Sequence, residues 1–91
     1  MATRLFPLGK TCITPGALKE CELISLSPSR LLDRHVQGDW SEMDKEDQMF
    51  NRQAISAGSR IFSAYTCRDC TFYVITEADR SVTTVLLPEE Y

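Results

Sequence analysis

Cys67-Arg68-Asp69-Cys70 has the spacing of a thiol pair that binds metal or cycles to a disulfide. A zinc site needs four ligands, and a second pair at matching spacing is missing. Cys12 and Cys21 stand apart from it and from each other at ordinary apolar positions. A redox pair usually opens a helix, whose dipole lowers a thiol pKa. This one brackets a hairpin turn. The expectation is no special role, no metal and no cofactor, with an opportunistic disulfide left open.

His35 is the one histidine. It falls on the apolar face of a predicted helix, just before Gly38-Asp39-Trp40. Two readings follow: a partly buried ring hydrogen-bonded near a helix end, or a general base, since imidazole titrates near neutral pH. Trp40 either anchors a loop through its N–H or, if exposed, serves as an interface hot spot. A third group is compact: Glu77, Asp79, Arg80, Thr83 and Thr84. Locally, Asp79 shapes a turn, Arg80 pairs with Glu77 or Asp79, and the threonines favour strand. Functionally, Arg80 and Thr83 would hold a phosphate while Glu77 handles a proton. On either reading Glu77, Asp79 and Arg80 are expected to form one charged cluster with Arg80 partly exposed. Glu89 and Glu90 read as a solvated tail.

The elements that must position these residues are short. Leu5–Ile13 holds Pro7 and Gly9 and reads as an irregular lead-in with a possible edge strand. Thr14-Pro15 starts a helix, because threonine caps free N–H groups and proline suits the first turn. Ala17, Leu18, Cys21 and Ile24 share its inner face. Ser27-Pro28 repeats the signal, with Leu31, Leu32, His35 and Val36 inward and Gly38 as the stop. A third start is predicted at Ser41, with Asp44 completing an approximate capping box. Met43, Phe50, Ala54 and Ala57 are its expected buried stripe. From Arg60 onward the apolar period is two, with turns at Arg68-Asp69 and Ala78–Arg80, so three strands follow in a meander. The fold class expected is α+β: two to three short helices on an antiparallel sheet of three to four strands, in a single domain over residues 1–91.

With 91 residues the chain can bury one modest core, so a second copy or a partner would add welcome buried area. A homodimer through an exposed sheet face is one expectation. Net charge is −3, which argues against direct nucleic-acid binding. No run is long and apolar enough to span a bilayer, and MATRLFPLGK lacks a signal-peptide core. The expected setting is cytoplasmic, with reduced cysteines.

LFPLGK-x-x-x-TPGAL, H-x-x-GDW, SAY and VITEADRSVTTVLLPEEY together resemble a family of small bacterial proteins carried on plasmids, integrative elements and prophages, commonly labelled plasmid-related. This chain departs from the pattern at Lys10, at Ser41 and in the Cys67/Cys70 turn. The resemblance implies a mobile-element setting and no agreed activity. With it comes the first functional expectation: a non-enzymatic protein that binds a host protein complex, in an anti-CRISPR or anti-restriction role, through Trp40, Tyr65, Glu77, Asp79 and Arg80. Helices followed by a meander with a T-x-x-D-R-x-x-T turn are also similar to barnase-like and RelE-like ribonucleases. That likeness implies a catalytic set drawn from His35, Arg60, Tyr65, Glu77, Arg80 and Thr83.

Overall fold

The computed structural model describes residues 3–91. Met1 and Ala2, which begin the MATRLFPLGK stretch, lie outside the described residues. The order along the chain is β1 (Lys10–Ile13), α1 (Pro15–Leu23), α2 (Pro28–Val36), α3 (Lys45–Ala57), β2 (Ile61–Cys67), β3 (Cys70–Thr76) and β4 (Val82–Leu86). A short 3-10 turn over Pro88–Glu90 closes it. The protein is α+β, with one sheet in the order β1-β4-β3-β2. β2, β3 and β4 form the expected antiparallel meander, and β1 adds in parallel beside β4. One strand therefore precedes the helices.

Local signals explain the helix starts. The Thr14 hydroxyl accepts from the Ala17 N–H at 3.2 Å, and Pro15 and Pro28 occupy first-turn positions. α3 starts at Lys45, later than Ser41. The Asp39 carboxylate accepts from both the Ser41 N–H and hydroxyl, which ties Ser41 into a turn. Asp44 caps instead, accepting from the Asp47 N–H at 2.9 Å. Gly58 ends α3 in the left-handed region at φ 71°.

Register puts Ile61, Ser63, Tyr65, Phe72, Val74, Thr76, Thr83 and Val85 on the helix side of the sheet. Tyr65, Phe72, Val74 and Val85 pack with Ala17, Cys21 and Leu31 as one apolar cluster. Ile61 packs with Phe6, Val36, Trp40 and Ala54 as a second. Each large side chain so buried is worth roughly 2 kcal/mol. Of the expected α3 stripe only Ala54 is buried, while Phe50 is 59% exposed and Ala57 is exposed. α3 lies along the edge of β2 and turns Asn51 inward. Its side-chain amide donates to the Phe62 C=O at 2.7 Å and accepts from the Phe62 N–H at 3.1 Å. Hydrogen-bonding need, not apolar period, sets the face.

Glu89 and Glu90 are exposed, as expected of a solvated tail, but Glu90 is tied down. Glu90 accepts from the Thr14 hydroxyl at 2.6 Å and from the Leu87 N–H at 2.8 Å, so its carboxylate sits at the start of α1. Those bonds hold its pKa below the usual range. Gly16 makes room for it: a Cβ there would lie 2.6 Å from Glu90 Oε2.

Candidate functional site

His35 and Thr83 lie in the core, each with no exposed surface, in a continuous hydrogen-bonded chain. The Trp40 indole N–H donates to Ser63 Oγ at 2.7 Å. Ser63 Oγ is 2.5 Å from His35 Nδ1, and His35 Nε2 is 2.8 Å from Thr76 Oγ1. Thr76 Oγ1 is 2.7 Å from Thr83 Oγ1, which donates to the Leu8 C=O at 2.7 Å. The two ends set the direction, because an indole only donates and a carbonyl only accepts. Protons then run one way: Trp40 to Ser63, Ser63 to Nδ1, Nε2–H to Thr76, Thr76 to Thr83, Thr83 to Leu8. This is satisfied by neutral imidazole protonated on Nε2. Burial pushes the His35 pKa down to about 3. The ring holds strands β2 and β3 to α2 and has no path to a substrate.

Trp40 and Tyr65, expected at a binding surface, are 2% and 0% exposed. Trp40 does anchor its loop, but onto a serine hydroxyl of β2. The Tyr65 hydroxyl donates to the Asp39 C=O at 2.8 Å, and burial pushes its pKa up to about 12. Arg34 lies 4.3 Å above its ring and pairs with Asp39 at 2.6 Å and Glu42 at 3.0 Å. Glu42 in turn accepts from the Thr66 N–H on the free edge of β2.

The hairpin cluster is not the ion-pair cluster expected. Asp79 accepts from the Ser81 N–H and hydroxyl. Arg80 is partly exposed, as anticipated, but its donors go to backbone carbonyls: Ala54 at 2.8 Å, Ser59 at 2.6 Å, Glu77 and Ala78 at 3.2 Å. Ala54 and Ser59 frame the end of α3, so Arg80 caps a helix C-terminus from another element. A guanidinium so engaged is not free for phosphate. Arg80 itself sits at φ 62°, a strained value for a residue with a Cβ. Arg80→Ala is expected to cost about 1–3 kcal/mol, the range for charge-assisted hydrogen bonds. Arg80→Gly is expected to lose about 1 kcal/mol less by relaxing the turn. Urea denaturation of both variants checks this; equal losses would mean that backbone strain is no part of the cost.

Cys67 and Cys70 are opposite partners in the β2–β3 register and are free thiols, as are Cys12 and Cys21. Desolvation raises the Cys21 and Cys70 pKa values, the reverse of an activated nucleophile. Among the described residues no His/Cys/Asp/Glu group has a metal-holding arrangement. A cleft of about 380 Å³ lies beside this turn, with Glu20, Arg68, Asp69, Cys70 and Glu89 among its lining residues. The Cys70 thiol in its wall is not activated: burial and the neighbouring Glu20 and Glu89 carboxylates push its pKa up.

Sequence reasoning missed a different surface. A cleft of about 330 Å³ opens between α3 and the sheet, walled by Met43, Asp47 and Phe50 on one side and by Arg60, Phe62 and Tyr91 on the other. Phe62, Tyr73 and Tyr91 meet edge to face at centroid distances of 4.6–6.1 Å. Arg60 donates to the Tyr91 hydroxyl at 2.6 Å. Phe50 is 59% and Tyr91 63% exposed, and Met49 beside Phe50 is also exposed. Aromatic rings with arginine, charged at the rim, form the composition of an interface centre. The available signal was the Phe50/Asn51 pair: a helix that must serve a strand edge turns its phenylalanine outward.

Comparison with family models, curated proteins and solved structures gives no match. No helix among the described residues is long and apolar enough to cross a membrane.

Proposed function

We propose that this chain is a small non-enzymatic accessory protein of a bacterial mobile element. It binds a host protein complex and acts against a defence system of the CRISPR or restriction type. The mobile-element setting rests on the sequence resemblance. The binding mode rests on one observation: Phe50 and Tyr91 stand exposed over an aromatic cleft with Arg60 at its rim. Solvated aromatics of this size are costly to leave uncovered, and they are the residue types that dominate binding energy. The net negative charge adds the option of competing for a nucleic-acid channel in such a complex. The ribonuclease reading has no observation in its favour, since His35 and Thr83 have no exposed surface and Arg80 is engaged by carbonyls.

Phage plating on a strain with active restriction or CRISPR immunity tests this. Expression of the chain is expected to raise plating efficiency, and tagged protein is expected to retain the effector complex. Phe50→Ala and Tyr91→Ala are expected to weaken retention about thirtyfold each, the scale of a hot-spot residue. Phe50 is exposed, so its removal should barely move the melting temperature. Tyr91→Ala also gives up its stacking on Phe62 and Tyr73 and the Arg60 hydrogen bond and should lower it slightly. Full immunity in the presence of the protein, with no effector retained at low salt, would rule the reading out.

A further inference from the structure

The two edges of the sheet are treated differently. On β2, Asn51 occupies the outward N–H and C=O of Phe62, and Glu42 the outward N–H of Thr66. On β1 nothing comparable is present among the described residues. The Lys10 N–H bonds the Ser81 C=O and the Thr14 N–H bonds the Val85 C=O, so even-numbered residues face β4. The N–H and C=O of Thr11 and Ile13 therefore point away from the sheet. A shallow apolar groove of about 140 Å³ runs beside them, lined by Thr11, Cys12, Ile13, Pro28 and Leu32. An open edge of this kind is a template for another strand.

We propose that the free edge of β1 pairs with β1 of a second copy, antiparallel about a two-fold axis at Cys12. One register uses all the outward groups: Thr11 opposite the second copy's Ile13, and Ile13 opposite its Thr11. A shift by one pair in one direction sets Thr11 against Pro15, which has no N–H. A shift in the other sets Ile13 against Gly9, where the chain has left the strand at φ 66°. The favoured register also places Lys10 opposite the second copy's Thr14, whose hydroxyl holds the Glu90 carboxylate at 2.6 Å. Positive then meets negative twice, by symmetry. This self-complementarity is what selects a second copy over a foreign strand. Cys12 faces its own counterpart as a non-hydrogen-bonded pair, with Cα atoms about 4.5 Å apart, within disulfide reach.

Light scattering and oxidative cross-linking of the full chain with copper phenanthroline test this. The wild type is expected to have a dimer mass at high micromolar concentration and to give a covalent dimer on oxidation. The Cys67→Ser/Cys70→Ser variant should cross-link equally well, and Cys12→Ser should not. Thr11→Pro removes an outward N–H without touching the β1–β4 ladder, so it should weaken the dimer about tenfold or more while keeping the circular dichroism spectrum. A monomer at every concentration, or a cross-link that persists in Cys12→Ser, overturns the proposal. Neither outcome depends on the Phe50 and Tyr91 surface.

Discussion

Lowering the pH from 7 to 5 is expected to cost this protein about 2 kcal/mol of stability through one imidazole. His35 has a folded-state pKa lowered from 6.5 to about 3 by burial. Between those values the unfolded chain binds a proton that the folded chain refuses. The contribution of His35 is therefore complete above pH 6.5 and is lost as pH falls toward 3. Asp39, Asp79 and Glu90 also have lowered pKa values, but from ordinary values of 3.8 to 4.5. Their losses fall at lower pH, which leaves the window from 7 to 5 to His35. Urea denaturation across that window measures the slope. Because this is the one histidine, nitrogen-15 NMR reads its state directly: neutral at pH 5, with the proton on Nε2. A folded-state imidazole titrating near 6.5 would refute both the burial argument and the direction of the hydrogen-bonded chain.

Ser63→Ala is expected to destabilise the protein by about 2–5 kcal/mol, the cost of two buried polar groups losing their partners. Ser63 Oγ takes the Trp40 indole proton and gives its own to His35 Nδ1. Without it the indole N–H, which can only donate, has nothing to donate to. A change of His35 tautomer would direct an Nδ1 proton into the same void and strip Nε2–H from Thr76. The chain cannot be repaired from within. Domains of this size have only about 5–15 kcal/mol in total, so the variant should sit near the edge of folding. Chemical denaturation gives the number, and Trp40 fluorescence reports the indole environment. A loss below about 1 kcal/mol would mean that the indole finds another acceptor.

Much of the architecture is written in local chemistry. Thr14-Pro15 marks a helix start because a cap and a proline act within one turn. Ser27-Pro28 marks another through its proline, the Ser27 hydroxyl bonding Ser29 rather than a helix N–H. The period of two from Ile61 to Leu86 marks a meander because alternation is a property of the strand itself. Even the inward set of β2, Ile61, Ser63 and Tyr65, follows from alternation once one member is known. What local chemistry does not carry is the identity of the neighbour across the sheet or beside it. His35 next to an apolar stripe reads equally well as a base or as a core group. The partners that decide, Ser63 and Thr76, are distant in sequence and are brought to its two nitrogens by the stacking of α2 on the sheet. Arg80 beside Glu77 and Asp79 reads as an ion-pair cluster, but the guanidinium reaches the Ala54 and Ser59 carbonyls at the end of α3 instead. Phe50 fits an apolar period and is nonetheless outside, because β2 needed Asn51 on its edge. Glu90 and Tyr91 look like a solvated end, yet one meets the start of α1 and the other stacks on β2 and β3. The elements and their order were thus determined by the sequence through short-range sterics and capping. The candidate site was decided only by tertiary structure, since each of its residues took its role from a hydrogen-bonding or packing demand set elsewhere in the chain.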